Sequence, residues 1–387
     1  MTEFYLDANA GLPLRAEVAA EWQRVASQAA GNPASLHRAG RRAQGELERA
    51  REVVAASLHC ASRELVFTSG ATEACNLALL GMVRGRAALT GKKQQLLASH
   101  AEHPAVLGPL RVLQQEGHRL FLLPIDADGR VDRAALAKAL HEQAWDLLAM
   151  QWANNETGAV QPIELLADQL PSDTLWFCDS VQGFGKLPFD PALQRADSFV
   201  LSGHKFQAPH GIGAWVMREH VFFEAPITGG GHQGGRRPGT ESPELAAALA
   251  LALSLACAEQ PEQERSWLHF GADLQAAVLE AFPETVLHHP ADGPRLANTY
   301  NFGFPGLDGR MLLPALDAEG LAVSAGSACS SGSPEPSAVL LAAGVSEELA
   351  RASLRISLPP AWNSEQAQLA NAALLKTLHR VYEVANR

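Results

Sequence analysis

Lys205 ends the stretch DSFVLSGHK and Asp179 ends TLWFCD, so each charged residue closes an apolar run. A lysine at a strand end is open to desolvation, which lowers its pKa and makes a neutral amine available for a Schiff base. A buried carboxylate in the matching place can keep a pyridinium nitrogen protonated, although the two side chains could equally form a plain structural ion pair. Ahead of both, VFTSGATEACNLAL reads as a strand, then Ser69-Gly70-Ala71-Thr72, then a helix. Backbone N–H groups at that helix start, with the Thr72 hydroxyl, suit a phosphate; an ordinary N-cap is the alternative. A phosphate site, a Schiff-base lysine and an acidic pyridinium partner are the parts a pyridoxal phosphate enzyme requires.

Other polar residues fall at similar places. His103, in ASHAEHPAVLG, follows a strand and precedes a helix. There it can stack on a cofactor ring and exchange protons near neutral pH, or simply start the helix. His100 lies three residues earlier, but no further ligand cluster supports a metal pair. GGGHQG satisfies G-x-G-x-x-G by letter, yet RRPG follows it instead of a helix, which argues against a dinucleotide site. Arg236, Arg237 and Thr240 in that loop could offer groups to a phosphate, in a dimer to the partner's. Arg355, in ASLRISL, sits among apolar residues and requires a carboxylate, either a substrate's or an internal one. Cys329 stands in SAGSACSSGSPEPS, a stretch too poor in apolar residues to pack, although free cysteine is usually buried.

The elements that must position these residues alternate along the chain. ELVFTS, QQLLAS, RLFLLPI, DLLAMQWA, TLWFCD and DSFVLS are short apolar runs separated by helical patterns. That pattern predicts an α/β unit with a largely parallel sheet, whose ligands bind beyond the carboxyl ends of the strands. IGAWVM is expected to be antiparallel, because only a loop separates it from DSFVLS. After about residue 260 a long helix leads into NTYNFGF, LAVSAGS, ASLRISL and a closing helix, the texture of a smaller α+β domain.

Bulk properties narrow the class. The chain has 387 residues, enough for one large and one small domain. Its 31 basic and 42 acidic residues leave a net charge of −11 with no block of like charges, against nucleic acid or an anionic membrane as the main partner. AAALALALSLA is too short to span a bilayer, and MTEFYLDANA lacks the features of a secretory signal. Five cysteines without C-x-x-C spacing argue against a disulfide scaffold or a zinc ribbon. Cys60, Cys75, Cys178 and Cys257 are expected to be small core residues in a reducing, cytoplasmic compartment.

Taken together, YLDANAGLP, GNPASLHRAG, FTSGATEACNLAL, AEHPAVLGPL, ANNETGAVQPI, FCDSVQGFGKLPFD, LSGHKFQAPHGIGA, GGGHQGGRRPGTES, NFGFPGLDGRMLL, SAGSACSSGSPEPSAVLLAAG and SLRISL resemble the cysteine desulfurase family. These are pyridoxal 5'-phosphate enzymes of the class V aminotransferase fold, fold type I, and the likeness runs almost the whole length. It implies a large domain over residues 15–258 with a mostly parallel mixed sheet, and a small α+β domain from 1–14 and 259–387 carrying the cysteine loop. It implies that Lys205 holds the cofactor as an internal aldimine, Asp179 pairs with the pyridine nitrogen, and Gln182 and Asn155 approach the ring hydroxyl. His103 would stack on the ring, while Thr72, Ser202 and His204 hold the phosphate and Thr240 reaches it from the other subunit of a homodimer. Arg355, Asn9 and Asn32 would hold the substrate carboxylate region. Cys329 would take sulfur from L-cysteine as a persulfide, leaving alanine, and pass it to an acceptor protein, a scaffold or carrier. A selenocysteine lyase, another β-elimination enzyme, or a non-catalytic adaptor on the same fold are the alternatives. Asp7-Ala8-Asn9-Ala10-Gly11 departs from the family, which usually has a second asparagine and two threonines there, as do His210 and Pro238.

Overall fold

The computed structural model of the chain describes residues 3–325 and 335–385. In chain order the elements are β1 (Phe4–Tyr5), α1 (Ala16–Gln28), α2 (Arg38–Ser57), β2 (Leu65–Thr68), α3 (Ala71–Thr90), β3 (Gln95–Ser99), α4 (Pro104–Gln115), β4 (Arg119–Leu123), α5 (Arg133–Glu142), β5 (Leu147–Ala149), α6 (Ile163–Gln169), β6 (Leu175–Asp179), β7 (Ser198–Ser202) and β8 (Gly213–Met217). There follow α7 (Pro243–Ala281), β9 (Val286–Leu287), β10 (Thr299–Gly303), α8 (Gly309–Ala318), β11 (Leu321–Ala322), β12 (Ser324–Ala325), α9 (Ala338–Ala342), α10 (Glu347–Arg351), β13 (Ser353–Ser357) and α11 (Ser364–Ala385).

Strands with apolar residues at nearly every position can only be covered on both faces. Accordingly β2, β5, β7 and β8 are buried at every residue, inside a sheet of order β2-β8-β7-β6-β5-β3-β4. Its strand pairs are parallel except those of β8, which runs antiparallel to both β7 and β2, as its short connection requires. Trp152, Trp176, Phe199 and Leu249 belong to the core on one side, and Val66, Phe177, Val200 and Trp215 to the core with α3 and α4 on the other. Burying each such side chain is worth about 1.5–3 kcal/mol.

A second core gathers Trp267, Phe270, Tyr300, Phe302, Leu354, Ile356 and Leu374. It backs a sheet of order β12-β13-β10-β9 with antiparallel pairing. The helix expected on each side of residue 260 is one continuous α7 of 39 residues, with Pro261 inside it. Leu249 and Leu253 of its first half join the first core, and Trp267 to Val278 of its second half join the other. The N-terminal segment crosses between the cores: Leu6 N–H donates to Ala322 O (2.8 Å), Ala8 N–H to Ser357 O (3.1 Å), and Leu12 N–H to His204 O (2.9 Å).

One cysteine departs from the expected core placement. Cys75 and Cys178 are buried and Cys60 half-buried, but Cys257 is exposed on α7. The Ala/Leu run before it hides the fact that its side of the helix faces solvent, while Leu255 and Ala256 pack on the core.

His288 and His289 are buried beside β10, and burial lowers both to a pKa of about 4, with the Arg295 cation adding to the effect on His289. An unfolded histidine titrates near 6.5. Below that value the unfolded chain binds protons that the folded chain refuses, so stability is lost as pH falls toward about 4. In urea unfolding these two residues are expected to withdraw stability between about pH 6.5 and pH 4, each by ~1.4 kcal/mol for every pH unit crossed, whatever the other groups of the protein add or remove. His288→Leu should make that loss shallower; an unchanged slope would refute the assignment.

Candidate functional site

The site grows from the carboxyl edge of the large sheet. β6 and β7 are parallel neighbours, so Asp179 and the turn after Ser202 emerge side by side. Asp179 Oδ1 accepts the Val181 N–H (3.0 Å). Burial raises this carboxyl above its ordinary range, against the opposing pull of His103, the Val181 N–H and Lys205. Past β7, the tight turn Gly203–Phe206 carries Lys205, whose Nζ donates to Asn9 O (2.7 Å) and Ala10 O (2.9 Å). Ser202 Oγ lies 3.0 Å from His204 Nδ1, and the His204 ring stacks on His210 with centroids 5.1 Å apart. Burial, helped by the neighbouring Lys205 ammonium, lowers His204 to about 4, so the ring is neutral at physiological pH.

Beyond β2 the chain turns through Gly70 (φ 156°) into α3, and Ser69, Gly70, Ala71 and Thr72 border the same space. A Cβ at Gly213 would stand 2.7 Å from Leu201 O and 2.8 Å from the Gly70 Cα. The first residue of β8 therefore has to be glycine for this cradle to close. The Ser69 N–H donates to Glu73 Oε2 (2.5 Å), and Glu73 pairs with Arg237 at 2.9 Å. Gln233 in the glycine-rich loop pairs by its amide with the Phe67 N–H (2.6 Å) and carbonyl (2.7 Å), covering part of the edge of β2. An edge strand left bare would invite pairing with another chain.

His103 starts a helix, the simpler of its two expected roles, and does so at the cavity. It is the N-cap of α4, its Nδ1 accepting the Ala105 N–H (3.0 Å), and it also borders the cavity. Accepting at Nδ1 puts the neutral ring's proton on Nε2. Burial lowers its pKa, Asp179 opposes that, and Lys205 adds to it. Beside it Glu102 is buried, accepts from Ser99 Oγ (2.8 Å) and the Gln151 N–H (3.0 Å), and is pushed up to about 8, mainly by burial.

From the small domain, Arg355 on β13 is fully buried. Its Nη2 meets Asp7 Oδ1 at 2.5 Å and its Nη1 donates to Asn155 O (3.1 Å), while Nε is buried with no partner. The internal carboxylate that sequence left as one option is thus Asp7, although Arg355 also borders the cavity. Asn9 is saturated: Nδ2 donates to Thr299 Oγ1 (2.8 Å) and Asn155 O (3.1 Å), while Oδ1 accepts from Lys186 Nζ (2.7 Å) and Asn298 Nδ2 (3.2 Å). Gln182 Nε2 donates to Asn9 O (3.1 Å).

One cavity of about 430 Å³ is bordered by Lys205, Asp179, His103, Gln182, Asn155, Thr72, Ser202, His204, Asn9 and Arg355. That volume suits a small ligand with a few polar anchors. Asn32 and Thr240 do not border it: Asn32 is exposed and caps its own turn through the Ala34 N–H (2.9 Å), and Thr240 is exposed in the loop anchored by Gln233 and Arg237. Cys329 lies outside the described residues. Sequence reasoning passed over Asp7, Glu102 and Lys186; the signal for Lys186 was a lysine between the apolar residues of GFGKLPF. Among the described residues no cluster of three histidine, cysteine or acidic side chains is arranged for a metal, and no helix is long and apolar enough to cross a membrane.

Residues 4–369 match the aminotransferase class-V family, and the chain belongs to it. Its curated relatives include the cysteine desulfurase IscS of Dictyoglomus turgidum, 36% identical over 92% of this chain and 89% of that protein. An IscS-like cysteine desulfurase of Mycobacterium tuberculosis is 36% identical over 92% of this chain and 91% of the relative. Among solved structures, a NifS-like protein superposes with a TM-score of 0.88 at 29% identity, covering 98% of this chain and 100% of its own. DndA from Streptomyces lividans gives 0.76 at 32% identity, over 92% and 100%. Fold and family therefore agree with the resemblance drawn from the motifs.

Gly213→Ala should force the β8 backbone away from Gly70 and lower unfolding stability by about 1–3 kcal/mol, as overpacking does. Urea unfolding measures this, and a loss-free variant would show that the cradle yields.

Proposed function

We propose that this chain is a cytoplasmic, homodimeric, pyridoxal phosphate-dependent cysteine desulfurase, converting L-cysteine to L-alanine and passing the sulfur through Cys329 to an acceptor protein. The observation that carries the reading is that Lys205 and Asp179, at the ends of neighbouring strands, border one cavity together with the start of α3. These groups fit the cofactor chemically: an amine to bind its aldehyde, a buried carboxylate for its ring nitrogen, and helix-start N–H groups with hydroxyls for its phosphate. Bound there, the cofactor supplies an electron sink for bonds at the substrate's α carbon.

Within that reading, Thr72, Ser202 and His204 hold the phosphate, with Thr240 contributed across the dimer. Asp179 holds a proton on the ring nitrogen, Gln182 and Asn155 approach the ring hydroxyl, and His103 covers the ring. Lys205 attaches the cofactor and, once displaced by substrate, moves the proton at the substrate's α carbon. Arg355 orients the substrate carboxylate with the N–H groups not taken by Asp7 and Asn155, the unpartnered Nε among them. The Asn9 side chain is fully bonded within the protein and Asn32 lies at the surface, so neither of these two expected contacts is available within the single chain. The Cys329 thiolate attacks the substrate sulfur. An S–S bond forms, the substrate C–S bond breaks, and the hydrogens of the two thiols are shared between the methyl of alanine and the persulfide, so atoms and electrons balance. Residues 15–258 form the cofactor domain and 1–14 with 259–387 the domain bearing Cys329, hinged within α7.

Purified protein is expected to show a visible absorption band that Lys205→Ala abolishes. With L-cysteine and a thiol reductant it should yield alanine and sulfide, and mass analysis should find a persulfide on Cys329. Cys329→Ser should keep the band and lose sulfur transfer; full transfer by that variant would overturn the reading.

A further inference from the structure

Lys186 is a second lysine at this site, and the proposed function gives it no role. It sits in the turn between β6 and β7, 4% exposed. Its backbone is pinned from both sides, the N–H by Gly183 O (3.0 Å) and the carbonyl by Gln260 Nε2 of α7 (3.2 Å). Its Nζ donates to Asn9 Oδ1 (2.7 Å) and to Gln182 Oε1. Gln182 in turn donates to Asn9 O, the carbonyl that also accepts from Lys205 Nζ. Two lysines are thus joined through one asparagine, with Gln182 closing the ring of hydrogen bonds.

Burying an amino group costs free energy unless its hydrogen bonds compensate, and among the described residues no carboxylate forms an ion pair with it. Packing alone would be served as well by methionine, which has similar length and flexibility. What the amine adds is two donors aimed at Asn9 and Gln182. Neither oxygen it satisfies has another strong cation at hand: Asn9 Oδ1 otherwise receives only the longer bond from Asn298 Nδ2 (3.2 Å).

We propose that Lys186 is a positioning residue: by fixing Asn9 and Gln182 it sets where the Lys205 amine stands at the edge of the cavity. This rests on the reading that Lys205 carries the cofactor. The Asn9 carbonyl can orient Lys205 only while its own peptide is held, and Lys186 holds that residue by the side chain while Ser357 Oγ holds its N–H (3.0 Å). Displacement of a reacting group by even ~1 Å can cost about 100-fold in rate. Lys186 therefore acts on turnover through placement.

The test uses the cofactor-loaded enzyme and its Lys186→Met and Lys186→Gln variants. Visible absorbance reports bound cofactor, and visible circular dichroism reports how rigidly it is held. Lys186→Met is expected to keep the absorption band, to lose at least about half of the dichroism per bound cofactor, and to lower kcat about 100-fold with KM within about threefold. Lys186→Gln retains an N–H donor pair and should recover part of both signals. A methionine variant with unchanged dichroism and kcat, or one indistinguishable from the glutamine variant, overturns the proposal. Should Lys186→Met not fold, Asn9→Ala removes the same acceptor and must reproduce the loss of dichroism; full dichroism there also overturns it. A wild-type enzyme without any visible band would instead bring down the cofactor reading itself, and this proposal with it.

Discussion

Asn9 is the residue on which the parts of this molecule converge. Its N–H is held by Ser357 of β13, its Nδ2 by Thr299 of β10 and the Asn155 carbonyl, and its Oδ1 by Lys186 and Asn298. Its own carbonyl receives Lys205 and Gln182. The small-domain sheet, the loop after β5, the turn after β6 and the turn after β7 therefore all report to one buried amide. Each bond alone is worth about 0.5–1.5 kcal/mol, but leaving any of these buried groups unsatisfied costs its full desolvation. That asymmetry makes the arrangement all-or-none: the lysine amine has a defined place because displacing it would strand several partners at once.

A second constraint follows from where the charges lie. Asp179, Glu102 and Glu156 are driven toward their neutral forms by burial, as are His103 and Lys186. For Glu156, pushed up to about 7, the Ser337 hydroxyl and the Arg355 cation oppose burial without cancelling it. Grouping so many titratable side chains in one dry region costs stability, which the two apolar cores on either side have to offset. The gain is electrostatic: in a site of low dielectric a carboxylate or amine acts on its neighbour far more strongly than in water. Of these, Asp179 and His103 border the cavity, and perturbed groups at a cavity are the pattern expected of an active site.

Much of this was readable from sequence because the relevant signals are local. An apolar run ending in Asp179 or Lys205 announces a strand end, and in a parallel sheet strand ends are where ligands sit. Ser69 to Thr72 announced a helix start for the same reason, and the antiparallel β8 followed from the length of its connection. What stayed hidden is long-range. The pairing of Asp7 with Arg355 joins residues 348 positions apart, and nothing local about Asp7 indicates it. Lys186 went unread, because its burial depends on the docking of its turn on α7. Cys257 was misplaced for the opposite reason: an Ala/Leu-rich stretch looks uniformly apolar, and which turn faces out depends on the partners α1 and α2 that pack along α7. Asn32 and Thr240, carried over by resemblance, are both exposed in the single chain; for Thr240, expected to act across a dimer, that is a fitting place, whereas Asn32 stands away from the cavity it was expected to serve.

The region of α7 around residue 260 explains how two cores can hold one site in register. Glu259 pairs with Arg15 of the N-terminal segment at 2.7 Å, Gln260 holds the Lys186 carbonyl, and Trp267 Nε1 donates to Pro359 O at 2.9 Å beyond β13. Within about two turns of helix, α7 grips the N-terminal strap, the turn under the cavity and the exit of the small-domain strand. A proline inside a helix removes one backbone bond and weakens the axis locally, and Pro261 falls within this stretch. The three contacts tie both cores to this one stretch of helix. Because Gln260 is one of them, a continuous chain of hydrogen bonds runs from α7 through Lys186 and Asn9 to the Lys205 amine, so the joint between the cores and the edge of the cavity are held by the same few residues.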